Sequence, residues 1–299
     1  MAGSELEKAY LPSCWSKRWD AEELLQQYLR KCEDITNKAR SSINCELDIP
    51  YSTTDRTKYD IYGTNLPKDA PIFVFIHGGY WQEFTKDLSA FAVSTFVSQG
   101  IKVITGGYDL CPNVTLTEIM SQTKILVEKI LKDAYSSGSR SVWIAGHSAG
   151  AQMAASLLHD KNWLSAITQK GYKKILKGLI LIGGVYDLKP LLLTSMNEAL
   201  KLTPEEIKSF SFAPIEQTDN SKKSEEPIRD IKVILTVGEC DSPVFIKESK
   251  RYAQRLLEFV DNVEFVLLRN NTDHFDIVEN LTQPDFLLTK LILQNIKSQ

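Results

Sequence analysis

The chain has no pair of cysteines spaced C-x-x-C, no charged-then-apolar leader at its N-terminus, and no long uncharged apolar window. Its five cysteines, at 14, 32, 45, 111 and 240, are odd in number and scattered. Such a set reads as reduced, buried thiols and not as a disulfide framework. The missing leader and missing apolar span argue against secretion and membrane insertion, so the expected location is the cytosol, with the nucleus left open. Charge of one sign is not in excess either: 35 basic and 38 acidic residues leave a net charge of −3. A balance this close to neutral makes no field that would gather nucleic acid or an anionic membrane. Neither a metal nor an organic cofactor is expected. The expected partner is a small-molecule substrate, and a homodimer is left open. Histidine is scarce, with four in the chain, so any chemistry that needs an imidazole has few places to find one.

What is present is strand and helix in alternation. Short, nearly continuous apolar runs occur at 72–76, 101–105, 142–146, 179–184, 232–238 and 263–268. Runs of this length suggest strands buried on both faces, as a parallel sheet requires. Helical patterns fall at 86–99, 114–136, 150–159, 243–260 and 284–296. Two further strands, around "CELDIPYS" and "TKYDIYG", precede the first parallel run and suit an antiparallel edge. The order predicts one doubly wound α/β domain over 1–299, with about eight strands and helices on both faces. A charged amphipathic helix at 20–40 belongs to a helical N-terminal extension, 1–45. Residues 187–230 carry no expected strand, but Thr203-Pro204-Glu205-Glu206 makes a capping box. That stretch is either a lid over the carboxyl edge of the sheet or a helical excursion without function. The polar tract "EQTDNSKKSEEPIRD" (216–230) within it reads as an exposed loop.

The most informative residues are Gly146-His147-Ser148-Ala149-Gly150. G-x-S-x-G alone is a weak signal, but here it leaves a buried strand and starts a helix, the context in which such a serine is a nucleophile. Capping alone would not ask for glycine on both sides, whereas a close strand-helix crossing does. A serine hydroxyl needs a base. His147 adjoins Ser148 on the turn, His77 suits a bracing role in its own loop, and His159 closes the helix that Ser148 begins. His274, in the loop after the last strand, remains. The acid should lie on another strand-end loop between serine and histidine in chain order. Asp241 after "TVGEC" is favoured, with Glu239 structural and Asp187 in reserve; Asp273 and Asp276 are too close to His274 to orient it from an independent loop. "HGGYW" (77–81) follows the first parallel strand, and its glycines let backbone approach a substrate. Gly78, Gly79 and Tyr80, with Ala149 after the serine, are the expected oxyanion donors, in a motif bounded by His77 and Trp81.

Taken together, "HGGYWQ" at 77, "AGHSAGAQ" at 145, "GGVYDLKPL" at 183, "VGECDSP" at 237 and "DHFDI" at 273 resemble the arylformamidases, or kynurenine formamidases, of the α/β-hydrolase superfamily. GxSxG is common to the superfamily; HGGYW followed by the remaining motifs in order is much more specific. The resemblance implies an α/β-hydrolase fold, a Ser148–Asp241–His274 triad with 77–81 as the oxyanion motif, and hydrolysis of N-formyl-L-kynurenine to L-kynurenine and formate. Tyr80 and Trp81 would narrow the pocket to the smallest acyl group, or else pack in the core; Tyr186 and Phe275 are further candidates to line it. A broad carboxylesterase for small acyl esters is the alternative activity, and a binding protein on a hydrolase scaffold is the alternative class.

Overall fold

Ile72–Ile76 is apolar without a break, and it forms β3, a strand whose five residues are all buried between neighbours on both sides. The computed structural model describes residues 2–212 and 227–298. In it the strands are β1 Cys45–Pro50, β2 Lys58–Tyr62, β3 Ile72–Ile76, β4 Lys102–Gly106, β5 Val142–His147, β6 Leu176–Ile182, β7 Ile228–Gly238 and β8 Val260–Leu268. Among the described residues they form one eight-stranded sheet in the order β1-β2-β4-β3-β5-β6-β7-β8. β1, β2 and β4 pair antiparallel, and every other neighbouring pair is parallel. Both the strand alternation and the antiparallel edge expected from the sequence are present.

The helices are α1 Ala2–Ala9, α2 Ala21–Ser42, α3 Val93–Val97, α4 Leu116–Ser137, α5 Ala149–His159, α6 Lys161–Gln169, α7 Asn197–Leu200, α8 Pro204–Phe210, α9 Pro243–Leu256, α10 Asp276–Glu279 and α11 Leu287–Lys297. Side chains alternate across a strand, so β3 sends Ile72, Val74 and Ile76 into one core with α4, α5 and α9. Phe73 and Phe75 enter a second core on the opposite face, with α2, α3 and α11. No helix among the described residues is long and apolar enough to cross a membrane.

Two expectations are revised, and one helix was not expected. The helix expected at 86–99 is a 3-10 turn at Lys86–Leu88 followed by the short α3. Lys86 is buried on Asp60, which pins the turn to the sheet, and the β-branched run after it is a poor helix former. The helix α6 had no sequence forecast. The stretch 187–230 holds a 3-10 turn, α7 and α8, with the Thr203–Glu206 capping box formed in both directions, but its end, from Ile228, is already β7. Residues 213–226, which include most of the tract expected as an exposed loop, lie outside the described residues.

Candidate active site

Parallel strands end at the same edge of the sheet, and the expected site residues follow the ends of β3, β5, β7 and β8. At the end of β5 the backbone of Ser148 takes φ +56° and ψ −119°, sparsely allowed for a residue with a side chain. Holding such a geometry costs about 1–3 kcal/mol and needs surroundings that leave no alternative. Those surroundings are visible. The Ser148 N–H donates to the Ile182 carbonyl at 2.8 Å, tying the turn to the end of β6. A Cβ on Gly146 would sit 2.1 Å from the Gly150 carbonyl oxygen, and one on Gly150 would sit 2.2 Å from that of Ile76. Only glycine allows the strand and the helix to cross here.

Asp241 and His274 are buried and joined: the ring Nδ1–H of His274 donates to Asp241 Oδ2 at 2.7 Å. The other carboxylate oxygen accepts the Ser242 N–H at 2.7 Å, so the acid is itself oriented. Phe245 meets the His274 ring edge-on at 5.1 Å. A Cβ on Gly183, one residue past the carbonyl that holds Ser148, would lie 3.1 Å from His274 Nδ1 and 3.3 Å from Asp241 Oδ2. The serine turn and the acid–histidine pair therefore share one corner of the sheet edge. Asp187, the reserve acid, is buried and accepts the Lys189 N–H. Glu239 accepts the Asn271 N–H at 2.7 Å, joining the loop of Asp241 to that of His274.

The loop after β3 lies against the serine: a Cβ on Gly78 would come within 2.9 Å of Ser148 Cβ. Gly79, Tyr80 and Trp81 all have positive φ, at 100°, 46° and 58°. Among the described residues no acceptor meets the N–H of Gly79 or Tyr80. Ala149, first in α5, has no preceding helical turn to receive its N–H. The His77 ring stacks on Tyr108 and donates from Nδ1 to the Gly78 carbonyl, bracing the loop. Burial pushes its pKa down to about 3, so it stays neutral.

Of the four residues expected to line a pocket, Tyr80 is partly exposed. Trp81 and Tyr186 are closed into the first core, and Phe275 into the second, against Tyr28 at 5.0 Å. In this arrangement all three serve packing. Among the described residues no group of three or more His, Cys, Asp or Glu is arranged to hold a metal. The five cysteines are free thiols, with Cys14 and Cys45 only partly buried.

Three participants were not foreseen. His147 does more than adjoin the serine: its Nε2–H donates to the His274 carbonyl at 2.8 Å. Burial and the neighbouring His274 hold its pKa well below the usual range, which keeps it a neutral strut. Glu248 on α9 accepts from the N–H groups of Tyr186 and Asp187 and from the Tyr10 hydroxyl. Arg18 reaches Asp273, the residue before His274. An isolated arginine in a bend, or a glutamate on an amphipathic helix, carries no sequence signal for such long-range contacts.

A family model described as the alpha/beta hydrolase fold matches residues 73–276. A kynurenine formamidase from Danio rerio is 34% identical over 99% of this chain and 97% of its own. One from Salmo salar is 33% identical over 98% and 96%. Among solved structures, a candidate thioesterase from a Silicibacter species superposes with a TM-score of 0.75 at 27% identity, covering 96% of this chain and 98% of the other. Near-complete coverage at this identity, on a sheet of the same fold, leaves one assignment: the chain belongs to the kynurenine formamidase family of the α/β-hydrolase superfamily.

Proposed function

We propose that the protein hydrolyses N-formyl-L-kynurenine to L-kynurenine and formate through a formyl-enzyme on Ser148. The observation that carries this reading is the 2.7 Å bond from His274 Nδ1 to Asp241, beside a serine held at positive φ. With Nδ1–H committed to Asp241, the other ring nitrogen of His274 is free to act as a base. Ser148 Oγ attacks the formyl carbon, and its proton passes to His274. The carbonyl oxygen becomes an anion facing the N–H groups of Gly78, Gly79, Tyr80 and Ala149. As the tetrahedral species collapses, the imidazolium gives its proton to the departing aryl amine, and the C–N bond breaks. Water then adds to formyl-Ser148, losing a proton to His274; formate leaves, and the proton returns to Oγ.

Besides oxygen and nitrogen the formyl carbon carries only hydrogen, so the acyl side of the site needs little room, and the nearness of Gly78 to the serine supports a small acyl group. The described part of the insertion, 187–212, would act as a lid. Gln152 of α5 donates to the Phe210 carbonyl of α8, which supports that placement. A cytosolic setting is supported by the free thiols.

The test is kcat/KM for N-formyl-L-kynurenine against that for short-chain aryl esters. The formamide should be the better substrate, although esters are chemically easier. An ester preference would make the protein a carboxylesterase using the same residues. Failure to label with a fluorophosphonate would remove the nucleophile itself.

A further inference from the structure

The N-terminal segment crosses the sheet edge and touches the loops that carry Tyr80, Asp241 and His274. Tyr80 of the oxyanion loop donates its hydroxyl to the Tyr10 carbonyl at 2.6 Å. Ser242, next to Asp241, donates its hydroxyl to the Ala9 carbonyl. The Tyr10 ring lies 6.4 Å from Phe245, which in turn lies against His274. Ser16 donates to Asp273 Oδ2 at 2.6 Å, and Arg18 donates to both oxygens of Asp273, at 2.8 and 3.0 Å, and to Glu279 at 2.9 Å.

We infer that this segment, residues 9–18, is a strap that positions the reacting side chains, and that Arg18 is a positioning residue for His274 acting through Asp273. The inference rests on the role proposed above for His274. Asp273 Oδ1 accepts the N–H groups of Phe275 and Asp276, both at 2.8 Å, and Asp276 Oδ1 accepts the Asp273 N–H in return. These bonds define the turn on which the His274 backbone sits. His147 holds the carbonyl of His274 from the other side. The turn also concentrates negative charge: Asp273 and Glu279 are buried, and Asp276 lies beside them. The cations that meet this group are Arg18, shared by Asp273 and Glu279, and Lys31, which meets Glu279. Without the guanidinium, the Asp273 carboxylate would face two acidic neighbours with no cation of its own. Repulsion would then open the turn, and opening it moves His274 relative to Ser148. A planar fork that spans two carboxylates is a task for arginine; lysine, a point donor, does it only in part.

The experiment compares wild type with Arg18→Met, Arg18→Lys and Ser16→Ala. It reads kcat and KM on N-formyl-L-kynurenine, the rate of serine labelling by a fluorophosphonate, and the melting temperature. Labelling reports the activated serine whatever the natural substrate is, so wild-type labelling without turnover would count against the substrate and leave the strap testable. Misplacing a reacting group by about 1 Å can cost about a hundredfold in rate. Arg18→Met should therefore lower kcat and labelling together by about ten- to a hundredfold, with KM nearly unchanged. Arg18→Lys should recover part of both rates. Should Arg18→Met not fold, Ser16→Ala decides: loss of one hydrogen bond to Asp273 should slow both rates about threefold or more. Variants that melt earlier but label and turn over at the wild-type rate would overturn the inference, as would a change confined to KM.

Discussion

Ser148 and Gly183 both have positive φ, on neighbouring strand ends, and the absence of a side chain on Gly183 leaves the room that His274 and Asp241 occupy. Asp241 meets the His274 ring, which supports it as the proposed acid, whereas Asp187 is engaged at the start of the segment after β6. Asp241→Asn should lower kcat by about four orders of magnitude, because an amide that donates to Nδ1 favours the wrong tautomer. Asp187→Asn should cost far less. Steady-state kinetics on the two purified variants checks this, and the reverse ranking would move the acid to Asp187. That Asp241 was a candidate could be read from its place after the next-to-last strand, although Asp187 also follows a strand and the helix after Asp241 suited it equally as a cap. Its orientation by the Ser242 N–H could not, since it depends on the conformation of the turn.

At the scale of elements, the crossing of β3, β5 and α5 is the tightest feature near the serine. Gly150→Ala would put a Cβ 2.2 Å from the Ile76 carbonyl oxygen and 2.5 Å from that of His77. Backbone cannot yield as a flexible side chain can, so a loss of about 2 kcal/mol or more is expected in urea unfolding. Wild-type stability in that variant would mean that the crossing is looser than described. The strands were legible in the sequence because burial on both faces writes itself as continuous apolar runs. The Thr203–Glu206 box was legible because capping is local. The 86–99 helix was misread because its break depends on buried Lys86 meeting Asp60, a contact between distant elements. The strap was invisible for the same reason: Arg18 and Asp273 are 255 residues apart.

For the whole molecule, one buried carboxyl links stability to pH. Burial pushes Glu248 up to about 7, against the pull of its three hydrogen-bond donors. In the unfolded chain its pKa returns to about 4.5. Between those values the folded state holds a proton that the unfolded state has lost, so stability falls as pH rises through this window. The group's contribution is fully present below about pH 4.5 and gone above about pH 7, a change on the order of 3 kcal/mol. Asp276, raised to about 7 by burial and Asp273, adds a slope of the same sign. Glu248→Gln should flatten the wild-type decline in unfolding free energy between pH 5 and 8, leaving the part due to Asp276; identical slopes would refute the assignment. In the proposed mechanism the chemistry rests on Ser148, and its removal is the most direct test. Hydrolysis of N-formyl-L-kynurenine should be followed for wild type and Ser148→Ala at equal, verified folding. The account predicts a fall in kcat/KM of at least about a thousandfold, with residual catalysis from the oxyanion donors alone. Retention of about a tenth of wild-type activity, far above that residual, would contradict it.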